Sequence, residues 1–236
     1  PNGDDPHPQV PMTRLSNLIG ATQTAPLTMA SAFATFANDG QYCEPMAIES
    51  VTDATGAQLP AQSPNCRDAI KPEVAHGVAY AMQEVLNRGS GSLIQPRIST
   101  RTTFPIAAKT GTNDNNNSTW VAGYTKGLAT ATWFGDPLNG QKRDGQNVTI
   151  NGKFYKGIDG YMIAGPQFSN YMAQVAPAYG TDPFPAPPSD MLYTPAPVAP
   201  PRNTNPVERS TEPAAEPSAE PSADPKPAPT KSSGKK

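Results

Sequence analysis

Lys109-Thr110-Gly111-Thr112 is the stretch whose residue types and order best suit chemistry. Residues 104–110 are rich in strand formers, so the four residues close a predicted strand. An edge strand exposes unpaired N–H and C=O groups, to which an extended peptide can add. A glycine at that point lets the ligand backbone approach without meeting a Cβ. Two threonine hydroxyls can hold a terminal carboxylate, and a lysine supplies the compensating charge. A backbone N–H just past the glycine can serve an oxyanion hole, where one donor stabilises a transition state by about 2.7–4 kcal/mol. By average residue usage, Lys-Thr-Gly arises by chance in about one chain in twenty of this length. The surrounding elements therefore carry much of the argument.

Those elements have a readable order. Thr24 is a candidate cap and Pro26 suits a first helical turn. Leu27, Ala30, Phe33, Ala34 and Ala37 form one face, and Asp39-Gly40 stops the helix. Residues 41–70 suggest short strands and turns, with alternation over 48–53 and a turn at Thr55-Gly56. A second helix starts at Pro72, runs Val74, Val78, Met82 and Val85 along one face, and ends at Gly89. His76 lies on it as a surface or partly packed histidine. Strands follow over 104–110, 119–124 and 128–134, the last two joined by Thr125-Lys126-Gly127. Asn151-Gly152 between Val148-Thr149-Ile150 and Lys153-Phe154-Tyr155 is a hairpin signal. A last helix starts at Pro166, with Phe168, Tyr171, Met172 and Val175 on one face. The order predicts an α+β fold, an antiparallel central sheet flanked by helices.

Composition divides the chain near residue 180. Of its 29 prolines, 15 lie between Pro183 and Pro229. Ala215-Glu216-Pro217-Ser218 repeats as Ala219-Glu220-Pro221-Ser222. Such a segment buries too little apolar surface to offset its ordering entropy. Residues 181–236 are thus expected to be an extended, disordered tail, and residues 1–180 the body. Lys and Arg total 18 against 20 Asp and Glu, in near balance on both sides of the boundary, so no basic face for nucleic acid is indicated. No run approaches the roughly 20 apolar residues of a membrane span. Cys43 and Cys66, with His7 and His76, could supply four zinc ligands, but neither pair has metal-ligand spacing. Two free thiols, or one disulfide, remain open until the compartment is known.

Five stretches resemble the transpeptidase domain of penicillin-binding proteins. Ile19-Gly20-Ala21 and residues 26–40, with Phe33-Ala34-Thr35-Phe36-Ala37-Asn38-Asp39-Gly40, resemble the helix before the second half of that domain. Ala107-Ala108-Lys109-Thr110-Gly111-Thr112, Thr119-Trp120-Val121-Ala122-Gly123-Tyr124-Thr125 and Ala131-Thr132-Trp133-Phe134-Gly135 resemble its third to fifth strands. Lys-Thr-Gly is a motif shared with serine β-lactamases. The Gly-Tyr-Thr strand and the Pro-rich tail look like class A, bifunctional members. Tyr42-Cys43-Glu44-Pro45 is similar to actinobacterial ones. The likeness covers residues 12–178.

The resemblance implies an extracytoplasmic acyltransferase without a cofactor, in which a serine attacks the penultimate D-Ala of a peptidoglycan stem peptide. β-Lactams mimic that D-Ala–D-Ala end. Lys109 would join the proton-transfer and charge network. Thr110, Gly111 and Thr112 would bind substrate, with the Thr112 N–H in the oxyanion hole. The implied compartment favours a Cys43–Cys66 disulfide over free thiols.

The family also uses Ser-x-x-Lys, which holds the nucleophile, and Ser-x-Asn, both upstream of Lys-Thr-Gly. Here Ser-x-x-Lys occurs only as Ser232…Lys235 and Ser233…Lys236, in the tail. Ser63-Pro64-Asn65 lies 46 residues before Lys109, too close for its role. The expectation is a C-terminal part of the domain, inactive alone. Its nucleophile and any membrane anchor would belong to a missing N-terminal half. A carboxypeptidase or β-lactamase of the same superfamily, or a scaffold piece binding the wall through the tail, are the competing functions.

Overall fold

A computed structural model describes residues 13–60, 62–94, 104–136 and 145–192. The chain forms α1 (Pro26–Ala37), β1 (Gln41–Tyr42), β2 (Val51–Thr52), β3 (Gln58–Leu59), β4 (Arg67–Asp68) and α2 (Pro72–Arg88). Then come β5 (Ala107–Thr112), β6 (Ser118–Tyr124), β7 (Ala129–Gly135), β8 (Gln146–Ile150), β9 (Lys153–Gly157) and α3 (Ala164–Val175). The predicted α+β class and the sequence of elements hold.

The central sheet has the order β5-β6-β7, antiparallel throughout, with β5 at one edge. Alternation divides its side chains between two apolar layers. Ala108 and Val121 join Phe168, Met172 and Ala176 of the α3 side, with Leu86 and Ile94. Ala107 and Tyr124 face the other way and join Ala37 and Ala79, packed with Phe33, Phe36, Met82 and Phe184. Gly123 allows the first layer to close, because a Cβ there would stand 2.8 Å from the Phe168 ring and 2.6 Å from the Ala107 carbonyl. Tyr124 is fully buried, its hydroxyl has no partner among the described residues, and burial raises its phenol pKa.

The helices sit where proline and glycine placed them, but their buried faces are rotated from the predicted ones. Pro26 is in the first turn of α1, yet the cap is Ala25, and the Thr24 hydroxyl donates to the Thr22 carbonyl instead. Leu27 and Ala34 are exposed, whereas Thr35 and Ala37 are buried and Phe33 and Phe36 pack on Tyr124. On α2 the buried residues are Ala75, Ala79 and Leu86, while Val74 is exposed. On α2 the small side chains of Ala75 and Ala79 face inward, where the helix packs on β5. α3 begins two residues before Pro166, and Tyr171 on it is exposed. The hairpin β8–β9 has Asn151 and Gly152 both at positive φ, as its two-residue turn requires.

The segment between α1 and α2 is held by β1–β4 and β2–β3 pairing and by a disulfide joining Cys43 to Cys66. The two sulfurs are therefore not metal ligands, and His76 lies elsewhere, with its Nε2 3.1 Å from Asp39 Oδ1. His7 falls outside the described residues. Packing continues beyond Gly180, whose carbonyl accepts from the Thr125 hydroxyl, to Phe184, whose ring lies 5.4 Å from that of Tyr124. The described part of the predicted tail ends with a 3-10 turn over Ser189–Leu192, and residues 193–236 lie outside the described residues.

Asp39 links three elements. Its Oδ1 accepts from Lys126 Nζ of the β6–β7 turn at 2.8 Å and faces His76 of α2. The Lys126 hydrogen bond is the largest influence holding its carboxyl below the ordinary 3.8. A carboxyl lowered on folding stabilises the fold fully above its unfolded pKa, and this is lost as pH falls through its folded value. Because the group is half exposed, the contribution is expected to be below about 1 kcal/mol. Asp39→Asn should therefore melt slightly below the parent at pH 7, and the gap should close as pH falls below 3.8 through the lowered folded value. A gap that widens on acidification would contradict this.

Candidate functional site

Strand β5 carries the four predicted residues, with Lys109 and Thr112 exposed and Thr110 and Gly111 half-buried. Its pairing with β6 fixes which backbone groups are available. The Asn113 N–H donates to the Ser118 carbonyl. Hydrogen-bonded and non-bonded pairs alternate along an antiparallel ladder. The register Gly111↔Trp120 and Thr112↔Thr119 then turns the N–H and C=O of Thr110 and Thr112 away from β6, toward the open edge. The N–H assigned to an oxyanion hole is thus on the side of the strand with which no other described strand pairs.

The side chains converge on the same edge. Lys109 Nζ donates to the Thr110 carbonyl at 2.7 Å and to Ser90 Oγ at 3.2 Å. The Thr110 hydroxyl donates to Ser90 Oγ at 3.0 Å. Lys109 and Thr110 leave the strand on opposite faces, so the point both reach lies beside the edge. The Thr112 hydroxyl has a different partner, accepting from the Gly160 N–H at 3.0 Å, and its own proton remains to donate. Gly160 comes close behind the strand, because a Cβ there would lie 2.7 Å from the carbonyl oxygens of Gly111 and Trp120. Asn116 fixes the adjoining turn, donating from Nδ2 to the Ile158 carbonyl at 3.1 Å and to Asp159 Oδ1 at 3.0 Å.

The sequence carries no signal that marks Ser90. It stands in Gly89-Ser90-Gly91-Ser92, directly after α2, where the pattern reads only as a helix end. The chance match Ser63-Pro64-Asn65 is not part of this edge. Asn65 donates from Nδ2 to Glu44 Oε2 at 2.9 Å, beside the disulfide. The serines of the other two matches fall outside the described residues.

Residues 3–155 match the family model of the penicillin binding protein transpeptidase domain, about two-thirds of the chain. The chain belongs to the penicillin-binding protein transpeptidase family. Penicillin-binding protein 1B of Escherichia coli is 33% identical over 122 residues, covering 52% of this chain and 14% of that protein. Penicillin-binding protein 1A of Aquifex aeolicus is 26% identical over 175 residues, covering 74% and 22%. The 1A protein of Mycolicibacterium smegmatis is 36% identical over 126 residues, covering 50% of this chain and 15% of its own length. The relatives place the chain with the class A transpeptidase domains, and the chain spans only a small part of their length. The expected actinobacterial affinity finds weak support, the mycobacterial identity standing little above that of Escherichia coli. The fold is that of penicillin-binding protein 1A from Haemophilus influenzae, with a TM-score of 0.54 at 22% identity over 71% of this chain and 29% of that one.

Proposed function

We propose that this chain is the C-terminal part of a peptidoglycan D,D-transpeptidase that cross-links stem peptides through a serine acyl-enzyme. The serine oxygen attacks the carbonyl of the penultimate D-Ala. The amide C–N bond breaks, the terminal D-Ala leaves as the protonated amine, and an amine of a second stem peptide resolves the ester. In this reading the incoming peptide lies along the open edge of β5. Lys109 supplies charge and takes part in proton transfer. Thr110 and Thr112 donate to the substrate carboxylate, Gly111 admits the substrate backbone, and the outward Thr112 N–H stabilises the oxyanion. β-Lactams take the same place.

The observation that carries this reading is the outward Thr112 N–H beside the Lys109–Thr110 cluster on a free strand edge. In this reading the nucleophile belongs to a part of the whole protein outside this chain. No helix among the described residues is long and apolar enough to cross a membrane. The Cys43–Cys66 disulfide supports an extracytoplasmic location, since disulfides persist in oxidising compartments. A fluorescent penicillin should label the full-length protein covalently and leave residues 1–236 alone unlabelled. An unlabelled full-length protein would refute the transpeptidase reading. Labelling of the isolated chain would refute the claim that the nucleophile lies elsewhere.

A further inference from the structure

Ser90, outside β5, touches the side chains of two of the four motif residues at once. Its hydroxyl oxygen accepts from Lys109 Nζ at 3.2 Å and from the Thr110 hydroxyl at 3.0 Å. Both lone pairs are then used, while its own O–H is left to donate. The turn that carries it is fixed by its backbone. The N–H groups of Gly89 and Gly91 both donate to the Val85 carbonyl, and that of Ser92 donates to the Gly89 carbonyl. A Cβ on Gly91 would come within 2.9 Å of the Leu86 side chain, so the turn is seated tightly on the end of α2. Helix α2 in turn packs on β5. Ser90 thus presents a hydroxyl at a fixed point beside the strand edge.

We infer that Ser90 is a positioning residue for carboxylate recognition, holding the Lys109 ammonium and the Thr110 hydroxyl together where a substrate carboxylate is to bind. The inference rests on the transpeptidase reading above. The lysine side chain is a long flexible stem with a compact charge. Without Ser90 it keeps the Thr110 carbonyl as its partner but loses the contact that draws it toward the Thr110 hydroxyl. A carboxylate would then meet two donors that are no longer gathered. Ser90 breaks no bond and takes no proton in this role.

The test uses the full-length protein with Ser90→Thr, which keeps the hydroxyl, and Ser90→Val, which has the same shape without it. Acylation by a fluorescent penicillin is followed over a concentration series. The threonine variant should stay within about twofold of the parent. The valine variant should lose about five- to tenfold in the second-order rate constant, as expected for the net loss of one hydrogen bond at an exposed edge. The loss should fall mainly on the half-saturating concentration, with the melting temperature unchanged. With the methyl ester of the same penicillin, which lacks the carboxylate charge, parent and valine variant should react alike. A valine variant equal to the parent would overturn the inference, as would an equal loss in both variants or the same loss with the ester. Failure of the parent itself to be labelled would instead refute the transpeptidase reading, and this inference with it.

Discussion

Replacing Lys109 by alanine in the full-length protein is expected to slow acylation by a penicillin by roughly 10²–10⁴, the range for removing a positioned proton-transfer group. The ammonium is exposed and bonds to the Thr110 carbonyl and the Ser90 hydroxyl at the open edge of β5. It supports no apolar layer, so the fold should survive its loss, and the melting temperature should move little. Lys109→Arg retains the charge, but replaces a compact ammonium with a planar fork that demands a different geometry, so it should recover only part of the rate. Stopped-flow fluorescence would give the rate constants. An alanine variant within threefold of the parent would remove Lys109 from the chemistry and leave it a surface cation.

The largest effect on stability should come from Phe168→Ala. The ring is fully buried and belongs to the layer that joins α3 to Ala108 and Val121 of the sheet. It lies over Gly123, where no side chain could enter to fill the space it leaves. Truncation of a buried phenylalanine with little room for collapse costs about 3–5 kcal/mol. For a unit of this size that corresponds to a fall of roughly 10 °C in melting temperature, measurable by calorimetry. Phe168→Leu should lose less than half as much. A fall of only a degree or two for the alanine variant would mean that α3 rearranges to close the void.

These two residues mark what could be read in the sequence. Asn151-Gly152 specifies its hairpin because a two-residue turn with positive φ is a local demand. Pro26, Pro72 and Gly89 set helix limits for the same reason. Helix faces are a tertiary matter. Ala75 and Ala79 are buried in place of Val74 because the space between α2 and β5 decides, and apolar spacing alone cannot report that space. The four residues of β5 were legible as a motif. The direction of the Thr112 N–H needed the β5–β6 register, and the role of the Thr112 hydroxyl toward Gly160 needed a residue 48 positions away. Ser90 was invisible for a similar reason, as it is 19 and 20 positions from its partners and sits in a turn with no periodic signal.

The glycine behind the motif has one more consequence. Gly160 brings backbone so near the sheet that an added methyl would collide with the carbonyl oxygens of Gly111 and Trp120 rather than with movable side chains. β5 therefore rests against an unyielding wall, and the motif strand has no room to retreat. Under selection by an inhibitor that reaches this edge, escape by drawing the strand back is closed. Adaptive change would have to accumulate in front of it, on the turn after α2 and on the exposed side chains along the rim.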